Sequence, residues 1–160
     1  MHLLTTDANA GPEPGSSGAI VLGIFRILVG LSFALHGLSG LFGIPVAPNG
    51  GQTAAFGSWP NWWAGVIELV AGAFVTLGIG TRIAALLCSG AMAYAFLFVH
   101  LKHDGVLPMQ NGGETAVLFC WSFFLIAVIG PGAFALQTVI SHTARSVRHS
   151  TGAGVAASPS

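Results

Sequence analysis

Residues 83–99 read "IAALLCSGAMAYAFLFV", seventeen positions without a charged side chain. A helix of ~20 apolar residues crosses the ~30 Å hydrocarbon core of a bilayer, yet one such run also suits the central helix of a soluble domain. The remainder of the chain decides between the two. Charged residues make up 6% of the 160 positions, against roughly 25% in soluble domains. Hydrophobic residues make up 53%, and the mean hydropathy is +0.78. Five basic and five acidic side chains cannot coat a soluble domain of this size. Their zero balance also gives no basic face for nucleic acid.

Outward from residue 83, three further apolar segments complete the pattern. The sequence predicts an all-α fold, a four-helix transmembrane bundle with helices at about 19–42, 59–79, 83–101 and 114–136. They lie in one membrane domain, residues 19–140, between flexible tails at 1–18 and 141–160. Barrel strands are excluded because the runs are too long and do not alternate. The connecting pieces "GIPVAPNGG", "GIGTR" and "HDGVLPMQNGG" carry turn chemistry, and Trp59, Trp62 and Trp63 gather where an interfacial belt would sit. The leading tail has neither a basic n-region nor an A-x-A site, so the first segment is expected to stay in the protein. Four spans running up-down-up-down put both termini on one side. Arg26, Arg82, Arg145 and Arg148 fall there and only Lys102 falls opposite, which makes the termini cytoplasmic. The expected location is the inner (plasma) membrane, multi-pass.

Within the first span, "RILVGLSFALHG" (26–37) carries two residues that lipid penalises. Arg26 shares a helical face with Gly30, Phe33 and Gly37; Glu68 shares one with Ala64, Gly65, Ala71 and Gly72. At ~1.5 Å per residue the two charges lie roughly 10 and 16 Å from the same surface, within reach of an arginine side chain. A buried Arg26–Glu68 ion pair is therefore expected, serving to fix helix register or also to line a cavity. The alternative is a Glu68 that carries a proton.

Toward the other surface lie His36, His100, His103, Asp104 and Glu114. Histidines with carboxylates can hold a metal, pass protons or hydrogen-bond a quinone headgroup. The spacing matches no H-E-x-x-H motif, and no metal centre is assigned. His36, Glu68, His100 and Glu114 are the candidate lining of a quinone or other polar site. Each has a plainer reading: Asn111 and Glu114 have capping-box spacing, and His100 and His103 sit where headgroups are. Cys88 and Cys120 form no CxxC and are placed near opposite surfaces as inert thiols. No signature for haem, flavin or NAD is present, and no catalytic residue is assigned.

The chain also resembles the DoxX family of small four-span bacterial membrane proteins. The resemblance rests on "RILVGLSFALHGLSGLFG", "WWAGVIELVAGAFVTLGIGTRIAALL", "FLFVH", "NGGE" and "GPG". It implies that Arg26, His36, Gly37, Glu68, Gly112, Gly113 and Glu114 stand at positions that recur in such proteins. Gly40 stands where relatives often carry a lysine, and "AFALQ" where they often carry Ser-Leu-Asp. The family's name is associated with quinone-linked oxidation of sulfur compounds, and members are described as oxidoreductase subunits or partners. The resemblance thus implies a membrane subunit of a redox, quinone-linked system, an accessory partner of an oxidoreductase. The alternatives are a non-catalytic scaffold of a larger membrane complex, or a small-molecule carrier. Expected partners are membrane lipids and other membrane or redox proteins, or a second copy.

Overall fold

The computed structural model describes residues 15–48, 50–102 and 105–138. Arg145, Arg148, His103, Asp104, the C-terminal tail and most of the N-terminal tail lie outside these residues. Among the described residues the chain is helical, with α1 at Ser17–Phe42, α2 at Asn61–Leu77, α3 at Thr81–Tyr94, α4 at Pro108–Asn111 and α5 at Glu114–Ile129. α1 starts where Ser16 Oγ accepts from Ala19 N at 3.2 Å, and it stops at Gly43, whose φ of +72° places it in the left-handed region. α2 follows Pro60 and ends at Gly78, φ +74°, with Ile79 N–H returning to Phe74 O at 3.1 Å. α3 continues without a break through a π turn, Ala95–Val99, and a 3-10 turn, His100–Lys102. Ser17–Phe42 and Thr81–Lys102 are long and apolar enough to cross a membrane, whereas α2 and α5 are shorter apolar helices of 17 and 16 residues.

The last helix is shorter than the sequence suggests. The apolar pattern runs to Leu136, but α5 ends at Ile129 because Gly130 precedes Pro131, which disfavours helix at the residue before it and lacks an N–H. The following chain folds back beneath α1 and α2. Ala133 N donates to Ala19 O at 2.8 Å, and Gln137 N to Gly78 O at 3.2 Å.

Two antiparallel pairs make up the bundle, α1 with α2 and α3 with α5. The first pair closes on glycine. A Cβ at Gly37 would lie 2.5 Å from Leu69 N and 2.6 Å from Gly65 O; one at Gly30 would lie 2.8 Å from Thr76 N and 3.0 Å from Gly72 O. Backbone therefore meets backbone, the contact that small residues permit between membrane helices. Gly23, one heptad earlier, abuts Ala133 in the same way. In the second pair, Ser89 Oγ donates to Cys120 O at 2.9 Å. Cys88 and Cys120 are accordingly not at opposite surfaces: α5 ends early, which brings Cys120 level with its neighbour across the pair. Both thiols are free. Phe33 of α1 joins the pairs at mid-height, its ring 4.7 Å from that of Phe123 and 5.1 Å from that of Phe119.

Candidate functional site

The expected Arg26–Glu68 pair does not form. Arg26 is fully buried, and its Nε donates to Pro131 O at 2.8 Å. Nη1 donates to Val75 O (2.5 Å) and Thr76 O (2.6 Å), and Nη2 to Ala133 O (3.3 Å) and Phe134 O (3.1 Å). A guanidinium has five N–H groups, so its donor capacity is filled by carbonyls alone. Two of these, Val75 O and Thr76 O, belong to the last turn of α2, at the negative pole of its dipole; Val75 O also accepts from Gly78 N at 3.1 Å. The reason for the correction is positional. Val75 and Thr76 lie seven and eight residues beyond Glu68, roughly 10 Å along α2. Arg82 does for α5 what Arg26 does for α2, donating to Ala127 O, Val128 O and Ile129 O at 2.8–3.3 Å, but from an exposed position.

Glu68 pairs instead with His36. Nδ1 of His36 lies 3.2 Å from Glu68 Oε2, with the Glu68 residue 8% exposed and the His36 side chain 64% exposed. The glycine contacts set this register: His36 precedes Gly37, Glu68 follows Gly65 by three, and Gly37 sits on Gly65 and Leu69. Both side chains line a cavity of about 660 Å³ at the end of the bundle opposite Arg26. The α1–α2 connection roofs it through Gln52, Thr53 and Ser58, and α3 walls it with Met92 and Tyr94. Ala95 and Val99, the first and last residues of the π turn, are part of that wall. Such turns within α-helices occur frequently at functional sites. The bond uses His36 Nδ1 and Glu68 Oε2, which leaves Nε2 and Oε1 outside it.

His100 and Glu114 are elsewhere. His100 Nδ1 donates to Asn111 O at 3.1 Å, tying the end of the third segment to α4. Glu114 is exposed in the first turn of α5. The capping-box reading of Asn111 and Glu114 also gives way. Asn111 Oδ1 accepts from Gly113 N at 2.9 Å and its Nδ2 donates to Gly105 O at 3.2 Å, so the helix begins after Gly113 rather than after Asn111. His103 and Asp104 fall outside the described residues. Among the described residues, no three His, Cys, Asp or Glu side chains come together as a metal site.

The sequence model of the DoxX family matches residues 21–101, from the second turn of α1 to the end of the third segment. The chain belongs to the DoxX family. Its family match includes Arg26, His36, Glu68 and His100, whereas Glu114 lies beyond it. The chain is also 40% identical over 118 residues to an uncharacterized protein of Haemophilus influenzae, covering 72% of this chain and 87% of that one. No solved structure matches it. As a DoxX protein it is a membrane protein, and its two longest helices have the length and apolarity to span the bilayer.

The sequence alone missed the His36–Glu68 partnership and the part played by the α1–α2 connection. A signal for the first was present. Gly30 and Gly37 share the seven-residue spacing of Gly65 and Gly72, and an antiparallel superposition of these pairs brings Glu68 within two residues of the level of His36.

Proposed function

We propose that the chain is a four-span inner-membrane subunit, up-down-up-down with both termini cytoplasmic. In this reading it is an accessory partner of an oxidoreductase, and its outer-end cavity holds a quinone headgroup. Arg26 and Arg82 at one end, with Lys102 at the other, support that orientation. The observation that carries the reading is the His36–Glu68 pair in the wall of a cavity whose other sides mix polar residues (Gln52, Thr53, Ser58, Asn61) with apolar ones such as Ala64, Met92 and Val99. Ligand sites commonly have a volume of about 300–1,000 Å³ and a few convergent polar groups on an apolar lining. A carboxylate accepts, so Nδ1 donates to Glu68 and Nε2 is left to accept from a quinol hydroxyl, or to donate to a quinone carbonyl when the ring is protonated. The bound quinone supplies two-electron, two-proton chemistry; the chain orients its ring and exchanges a proton at Nε2.

Quenching of tryptophan fluorescence by a dimethoxy-methyl-benzoquinone, measured on the purified protein in detergent, tests this. The wild type binds saturably, and His36→Ala weakens binding about tenfold, the equivalent of ~1.4 kcal/mol, in protein that keeps its helical circular-dichroism spectrum. Absence of saturable binding, or equal affinity in His36→Ala, refutes it.

A further inference from the structure

A second space opens beside the polar cavity. Between α2 and α3 runs a groove of about 740 Å³ with almost wholly apolar walls, among them Val70 and Phe74 of α2 and Ile83 and Leu87 of α3. Phe74, Ile83 and Leu87 are exposed, so the groove is open sideways. It adjoins the cavity at Ala91, which lines both. Ile83, Leu87, Ala91, Ala95 and Val99 form one i+4 ridge along the third segment. The first three border the groove, the last three border the cavity, and Ala91 borders both. Beside that junction stands Gly90, where an added Cβ would meet nothing within 4 Å. The polar space lies at the end marked by Trp59, Trp62 and Trp63, and the apolar groove extends from it toward Gly80. That polarity order is the one a long-tailed amphiphile adopts in a bilayer, with its head at the interface and its tail in hydrocarbon.

We infer that the α2–α3 groove holds the apolar tail of the quinone whose head occupies the His36–Glu68 cavity, and that the molecule is admitted sideways from the bilayer past Gly90 and Ala91. The inference rests on the quinone reading of the cavity. It adds the tail site, the route and the class: long-tailed quinones rather than water-soluble ones.

The test uses the full chain in detergent with two probes, dimethoxy-methyl-benzoquinone and its decyl derivative. Each probe is compared with itself across variants, so its partition into micelles cancels. Gly90→Phe fills the junction from open space. It is expected to weaken the decyl probe at least tenfold while leaving the tail-less probe within twofold, whereas His36→Ala weakens both. A Gly90→Phe protein that binds the decyl probe as before, or loses both probes equally, overturns the inference. So does competitive displacement of the decyl probe by palmitate in the wild type, which marks a general acyl site. A change of oligomeric mass in Gly90→Phe overturns it too, marking a second copy in the groove. If His36→Ala affects neither probe, the headgroup reading fails as well; if it affects both while Gly90→Phe affects neither, the tail site alone fails. Should Gly90→Phe not fold, a decyl quinone with a terminal diazirine replaces it. Labelling of Val70, Phe74, Ile83 or Leu87 supports the tail site, and labelling confined to α1 or α5 overturns it.

Discussion

Replacing Arg26 by Met separates the carbonyl cradle from the ion pair that its sequence suggests. The substitution keeps an unbranched apolar stem as far as the position of Nε and removes five N–H donors from Val75, Thr76, Pro131, Ala133 and Phe134. Hydrogen bonds from a charged donor contribute about 1.5–3 kcal/mol each, and a buried carbonyl left without a partner costs about 1–3 kcal/mol. Relief of the guanidinium's own desolvation returns several kcal/mol, so the net loss should be about 3–5 kcal/mol, as for other broken buried charge interactions. The measurement is unfolding in mixed SDS micelles, followed by tryptophan fluorescence, for Arg26→Met, Glu68→Gln and the double variant. Sites more than ~7–10 Å apart without shared partners add to within about 0.3–0.5 kcal/mol, and near-additivity is expected here. Arg26→Lys should fall between, because three donors on one nitrogen cannot reach carbonyls spread around a planar fork. A coupling of about 2 kcal/mol or more between Arg26 and Glu68, or a Glu68→Gln protein as unstable as Arg26→Met, would refute the cradle.

The glycine seam predicts a sharp contrast between neighbours. Gly37→Ala drives a methyl into the backbone of Leu69 and Gly65 and should cost about 1–3 kcal/mol, while Gly40→Ala, with nothing within 4 Å, should be neutral or slightly stabilising; equal melting temperatures would overturn this. Asn111→Ala removes side-chain bonds to Gly105 O and Gly113 N, and about 2 kcal/mol with them, so proteolysis between Lys102 and Pro108 should accelerate. Unchanged cleavage would mean that Asn111 does not hold that connection.

Hydropathy made the helices readable, since apolar runs in a nearly uncharged chain leave few other ways to satisfy a backbone. Small-residue phasing likewise picked out Gly30, Gly37, Gly65 and Gly72 as the faces on which α1 and α2 meet. What escaped was register. The sequence marks depth along each helix only by its apolar limits, and those limits mislead at Leu136, where Gly130 and Pro131 end α5 within an unbroken apolar run. The partner of Arg26 escaped for a different reason. Its acceptors are backbone carbonyls, which every residue carries, so no side-chain pattern marks them. The cavity was half legible: His36 and Glu68 stood out as polar residues in apolar spans, but their pairing and the roof from the α1–α2 connection depend on how the chain folds back.

The two helix pairs are not joined evenly along their length. Hydrogen bonds from Arg26 to Pro131, Ala133 and Phe134, from Ala133 to Ala19 and from Gln137 to Gly78 cross between them at one end. At mid-height they meet through Phe33 and Phe123, and toward the other end through rings such as Trp59 and Tyr94, 6.2 Å apart. Mechanically this is a pair of tongs, stiff at the pivot and compliant at the tips. A given angular fluctuation moves the tips furthest, and the polar cavity lies between them.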